Sequence, residues 1–167
     1  EPSKEATSPT RDEEENDESS ETSDFTPFLR WEGTLDTTVG LQSAAQRSGF
    51  AALRSPDFPF AVRNLPGLYH ALELNCRSDG RVYTVNLNVA SAIPNDIYQG
   101  RIQSAPSAAG RFDRFILPFK QLQLTAMGRE REIDRSLDTN VRIESIGVVL
   151  MDGENGDFQF DLARIRA

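Results

Sequence analysis

From Leu68 to Val89 the chain reads LYHALELNCRSDGRVYTVNLNV, two runs of apolar/polar alternation around one tight turn. In the first run Leu68, His70, Leu72, Leu74 and Cys76 share a face, and Tyr69, Ala71, Glu73 and Asn75 take the other. In the second, Tyr83, Val85, Leu87 and Val89 alternate with Thr84, Asn86 and Asn88. Period two over this length predicts two strands rather than a helix. Ser78-Asp79-Gly80 lies between them, and Gly80 can take the positive φ that a hairpin turn needs. A hairpin here would carry one apolar face, with Cys76 and His70 in the core. Its polar positions, Glu73 with Asn75 and Asn86 with Asn88, would line one concave sheet.

The same reading extends along the chain. Phe28, Leu29 and Trp31 open a strand, with Trp31 expected in the core, and Gly49 to Arg54 forms a short second one. Pro56, Pro59 and Pro66 punctuate the loops before the alternating runs. Further strands are expected at Tyr98–Gln103, at Phe112–Leu117 and around Leu122 and Leu124. In the apolar stretch Val141–Met151, Ile146, Val148 and Leu150 share one phase, while Ile143 falls in the other, with Ser145. Phe158, Phe160 and Leu162 alternate in a last strand, with Ile165 shifted by one. Gly40 to Ser48 suits a helical turn or a loop. Many short strands, frequent turn signals and no long helical pattern predict an all-β antiparallel sandwich or barrel.

Charge divides the chain. Residues 1–24 hold ten acidic residues against two basic ones, and the whole chain has a net charge of −8, so residues 25–167 are neutral. The first 24 residues also lack aromatic, Val, Ile and Leu side chains. Such a segment cannot bury enough apolar surface to offset its ordering entropy, so disorder in isolation is expected. Two regions follow: an acidic low-complexity tail at 1–24 and a β-domain at 25–167. The tail's complement would be a basic surface. A neutral domain argues against nucleic acid as the main partner, because phosphate binding needs a cationic face. All bases except Lys4 and Lys120 are arginine.

Few residues suggest chemistry. His70 is the sole histidine and Cys76 the sole cysteine, so neither an intrachain disulfide nor a His/Cys metal cluster can form. Glycine-rich phosphate loops are absent, and no cofactor is expected. Asp152-Gly153-Glu154-Asn155-Gly156-Asp157 offers oxygens to calcium but lacks the downstream bidentate glutamate of an EF-hand, so a polar turn is the expected reading. The alternating charges of Arg129-Glu130-Arg131-Glu132 suit a solvated edge or a docking surface. Together with the polar strand positions, the expected interaction surface is Glu73, Asn75, Asn86, Asn88, Arg129 and Arg131. No apolar run reaches the ~20 residues of a membrane-spanning helix. There is also no initiator Met, secretory h-region or Arg-rich transit helix, so processing or trimming before Glu1 is expected.

One ordered series of short motifs resembles the complex I intermediate-associated protein 30 family. It comprises Gly49-Phe50-Ala51, Gly67-Leu68, Asp79-Gly80-Arg81-Val82-Tyr83, Tyr98-Gln99, Leu117-Pro118-Phe119, Gly128, Ile143 with Ser145-Ile146-Gly147, and Gly156-Asp157-Phe158 ending in Ile165. The resemblance spans Trp31 to Ile165. The chain departs from the family near Phe112, where members carry Trp, and near Val39-Gly40, where a Met-Gly-Gly-type loop is altered. The resemblance implies a galactose-binding-domain-like jelly roll without catalytic activity. It implies an assembly factor or retained accessory subunit of mitochondrial respiratory complex I, docked on protein subunits at the matrix side of the inner membrane. The acidic tail would add a contact to a basic subunit. Alternatives are a plastid relative that assists photosynthetic complexes, and a carbohydrate-binding module using Tyr69 and Asn88.

Overall fold

The computed structural model describes residues 27–38, 49–60, 62–63, 65–91, 96–103, 105–106, 110–126, 129–130 and 137–167. The strands are β1 (Leu29–Leu35), β2 (Ala51–Arg54), β3 (Ala71–Ser78), β4 (Tyr83–Val89), β5 (Asp96–Ile102), β6 (Asp113–Pro118), β7 (Gln123–Ala126), β8 (Arg129–Glu130), β9 (Ile143–Leu150) and β10 (Gly156–Arg166). One helical turn, α1 (Leu65–Leu68), and a 3-10 turn at Phe119–Gln121 complete the elements. The strands form two antiparallel sheets. The first has the order β1-β10-β3-β6 and the second β2-β9-β4-β5-β7-β8. The chain crosses between sheets repeatedly, as in a jelly roll: β1 to β2, β2 to β3, β3 to β4, β5 to β6, β6 to β7 and β9 to β10.

The Leu68–Val89 alternation is therefore not a hairpin. β3 pairs with β10 and β6, whereas β4 pairs with β9 and β5. The turn between them is an arch that carries the chain from one sheet to the other. Asp79 clamps it. Its Oδ1 accepts from the Arg81 amide at 3.0 Å, and its Oδ2 accepts from the Gln159 amide of β10 at 2.8 Å and from the Tyr83 hydroxyl at 3.1 Å. Gly80 has φ +96° and its absent Cβ would lie 2.8 Å from Pro106, so both backbone and packing require glycine there.

The apolar faces of β3 and β4 do face each other. Leu72, Leu74 and Cys76 from the first sheet meet Tyr83, Val85 and Leu87 from the second, and all are buried. Leu117, Val148, Leu150, Phe158 and Phe160 complete the centre of this core. Trp31 is half-buried at its margin, edge-on to Phe158 at 5.0 Å. The two breaks of phase in the sequence mark bulges. Register shifts between Asn88 and Val89 opposite β9, which brings Ile143 inward, and between Leu162 and Arg164 in β10, which brings Ile165 opposite Leu74. The first alternating run starts later than its pattern suggests. Leu68 lies in α1, and both Leu68 and His70 are exposed, so the expected core histidine is at the surface instead. The Gly40–Ser48 segment lies outside the described residues.

Candidate docking surface

The expected surface residues do not converge. Paired residues on adjacent strands share a face, and inward Leu74 and Leu87 define the inner one. Glu73 and Asn75 therefore sit on the outer face of the first sheet, and Asn86 and Asn88 on the outer face of the second, across the thickness of the sandwich. Two packed sheets are ~10 Å apart, so the arch separates these pairs instead of joining them. Asn86 is buried and accepts a hydrogen bond from Gln99 Nε2 at 3.0 Å, which makes it part of a cross-strand polar pair. Arg129 belongs to β8, which pairs with β7 at the end of the second sheet. Arg131 lies outside the described residues.

The outer face of the first sheet carries most of the organised charge. At its upper half Asp161 of β10 is completely buried. Its Oδ1 accepts from Arg30 Nε at 3.0 Å, and its Oδ2 from Arg77 Nε at 2.6 Å and Gln159 Nε2 at 3.2 Å. Desolvation pushes its pKa up, but the hydrogen bonds and charges of Arg30 and Arg77 outweigh that and hold the carboxyl below its ordinary range. The Arg77 guanidinium lies over both Phe28 and Phe112, 4.8 Å from each centroid, and the two rings touch each other at 5.4 Å. This stack covers the charged group with aromatic faces and pins the start of β1 to the sheet.

The lower half differs. One row across the strands is Arg164-Asn75-Arg114 and the next is Arg166-Glu73-Ile116. Glu73 accepts from Arg114 Nε and Arg166 Nη2, both at 2.6 Å. Desolvation raises its pKa, and these two partners overcome that effect and hold it low. Among the described residues neither Arg164 nor Lys120 has an ion-pair partner. Below these rows a cavity of about 570 Å³ is lined by Tyr69, His70, Ile116, Pro118 and Lys120. Ile116 is 50% and Tyr69 45% exposed. An exposed aliphatic and an aromatic side chain thus line a cavity with Lys120, while Arg114 lies two residues from Ile116 on the same face and Arg166 two strands away beyond Glu73. Tyr and Arg beside an apolar centre is the composition of protein–protein hot spots. Sequence pattern placed Glu73 and Asn75 here, but Arg114 and Ile116 carried no signal beyond alternation in a loosely patterned strand. Arg164 and Arg166 lie past the bulge, where the alternation breaks.

Other candidate groups are absorbed by structure. Cys76 is buried, and desolvation followed by the charge of Asp113 pushes its thiol up to about 12, which makes it a packing residue. In the Asp152–Asp157 turn, Arg81 forms a two-point ion pair with Asp152, both contacts at 2.7 Å, and also donates to the Glu154, Gly156 and Asp157 carbonyls. Asn155 Oδ1 accepts from Thr37, and Asp157 from Thr34 Oγ1. The loop oxygens converge on a guanidinium, and among the described residues no His, Cys, Asp and Glu cluster suits a metal ion. Among them, too, no helix is long and apolar enough to cross a membrane. An apolar cleft of about 290 Å³ opens between the two sheets, lined by Leu29, Leu53, Ile146, Leu162 and Ile165.

A family model described as complex I intermediate-associated protein 30 (CIA30) matches residues 16–162. No curated protein matches the sequence. Among solved structures, the chain is similar to a family 11 carbohydrate-binding module from Clostridium thermocellum in complex with a beta-1,3-1,4-mixed-linked tetrasaccharide. That likeness has 11% identity and a TM-score of 0.46, over 81% of this chain and 87% of that one. It is also similar to the family 11 module of the cellulosomal cellulase Lic26A-Cel5E of the same organism, with 10% identity and a TM-score of 0.42, over 81% and 86% of the two chains.

Proposed function

Because the chain belongs to the complex I intermediate-associated protein 30 family, we propose that it is a non-catalytic interaction protein of mitochondrial respiratory complex I. It acts as an assembly factor or retained accessory subunit on the matrix side of the inner membrane. In this reading the β-domain, residues 25–167, docks on complex I subunits or intermediates, and the acidic tail, residues 1–24, adds electrostatic contact to a basic surface. The docking site is the lower outer face of the first sheet. The observation that carries this is the exposure of Ile116 and Tyr69 beside Lys120, next to the sheet face that carries Arg114 and Arg166. Such a surface suits an apolar partner patch with an acidic rim. A specific interface needs ~800 Å² from each partner, which one sheet face with its adjoining loops can supply.

Native-gel separation of mitochondrial membranes, followed by mass spectrometry, tests the reading. The wild-type chain is expected to migrate with complex I subunits. The double variant Tyr69→Ala/Ile116→Asp changes only exposed side chains and is expected to lose that comigration while keeping its melting temperature. A wild-type chain that never comigrates with complex I subunits overturns the function. Comigration retained by a folded double variant overturns the docking site.

A further inference from the structure

The tail and the cationic patch belong to one molecule, and the fold brings them within reach. Residues 12–24 hold eight acidic residues and no basic one. The described chain begins at Pro27, and the Phe28 ring is stacked on Arg77 on the outer face of the first sheet. The described chain therefore begins beside the face that carries Arg114, Arg164 and Arg166. From Arg77 the Asn75–Arg114 row lies two residues along β3 and one strand over. At ~3.3 Å per residue and ~4.8 Å per strand this is on the order of 10 Å. Thirteen extended residues span up to ~40 Å, several times that distance.

We propose that acidic residues 12–24 dock on their own chain's cationic patch of Arg114, Arg164 and Arg166, and so shield it. Charge complementarity selects this occupant. Arg114 and Arg166 share a single carboxylate, Glu73, and Arg164 has none among the described residues. A tethered segment also acts at an effective concentration in the millimolar range, which a free acidic partner rarely reaches. The contact is between exposed charges. It is therefore weak and salt-sensitive, and an apolar partner with an acidic rim can displace it. The displacement rests on the proposed function, whereas the docking itself does not.

Paramagnetic NMR on the full chain tests the docking without any partner present. A Ser20→Cys variant carries a nitroxide label, and Cys76 stays unlabelled because it is buried. At about 0.1 M salt, amide signals of Arg114, Arg164 and Arg166 are expected to broaden at least ~2-fold more than those of Asn86 and Asn88 on the opposite sheet. At about 1 M salt, where the screening length falls to ~3 Å, the difference is expected to vanish. It is also expected to vanish in Arg164→Glu/Arg166→Glu. A tail variant with Asp12→Asn, Glu13→Gln, Glu14→Gln, Glu15→Gln, Asp17→Asn and Glu18→Gln gives the same test while leaving the β-domain untouched. Equal broadening of the two faces at low salt overturns the proposal, as does selective broadening that survives neutralisation of the tail. Either result leaves the complex I reading standing, since only its own test addresses that.

Discussion

Replacing Asp161 by Asn isolates the charge at the centre of the first sheet's outer face. The substitution keeps shape and removes one negative charge from a group with no solvent exposure. Its two arginine partners then respond differently. The Arg30 side chain is 46% exposed and recovers hydration, whereas that of Arg77 is 19% exposed and packed against both Phe28 and Phe112. Removing one partner of a buried ion pair costs ~3–5 kcal/mol. Because Arg30 is half-exposed, the lower end applies, and Asp161→Asn is expected to cost ~3 kcal/mol. For a domain of this size that lowers Tm by roughly 6–12 °C. The pH dependence has a definite sign. The native carboxyl titrates below its unfolded value, so its stabilisation is present above an unfolded pKa of ~3.9 and is lost as pH falls through the native value. Urea unfolding of both proteins at pH 7 and at pH 3 measures this directly. The gap between them is expected to be wide at pH 7 and narrower at pH 3. A loss below ~1 kcal/mol at pH 7 would refute the argument that Arg77 is stranded. A gap of the same size at both pH values would show that the charge is not its source.

Four further outcomes follow from the structure. Leu74→Ala, at a fully buried position between the sheets, is expected to cost ~2–5 kcal/mol in urea unfolding. Gly147→Ala would place a Cβ 2.7 Å from the Leu53 carbonyl oxygen, and separating β2 from β9 to relieve it is expected to cost ~1–3 kcal/mol and lower Tm accordingly. Iodoacetamide at pH 8 is expected to leave Cys76 unmodified in the native chain and to modify it in urea, as read by intact mass. Rapid native labelling would show that the sandwich opens at β3. Added calcium is expected to leave Tm unchanged, because Arg81 already holds the Asp152 carboxylate and the Glu154, Gly156 and Asp157 carbonyls, and a rise in Tm would show that a cation displaces it.

The alternation of side chains made most strands legible, because a strand with one buried face has a sequence period of two. It even exposed both bulges, since an extra residue reverses the phase and Ile143 and Ile165 fall out of step with their neighbours. Cys76 was legible as a packing residue for the same reason. Alternation says which side of a strand is buried, but not which sheet the strand joins. A hairpin and an arch bury the same residues of Leu72–Val89, and only the pairing of β3 with β10 and of β4 with β9 separates them. That choice depends on partners roughly 60 to 90 residues away in sequence, and it determined whether Glu73 and Asn86 share a surface. The exposed His70 and the Arg114–Ile116–Arg166 patch likewise follow from where strands begin and which neighbours they gain. What the chain by itself determined was an all-β domain with an acidic tail and a two-sided core. Tertiary structure decided which polar residues stand together, because solvent-facing side chains are grouped by long-range strand pairing and not by local pattern.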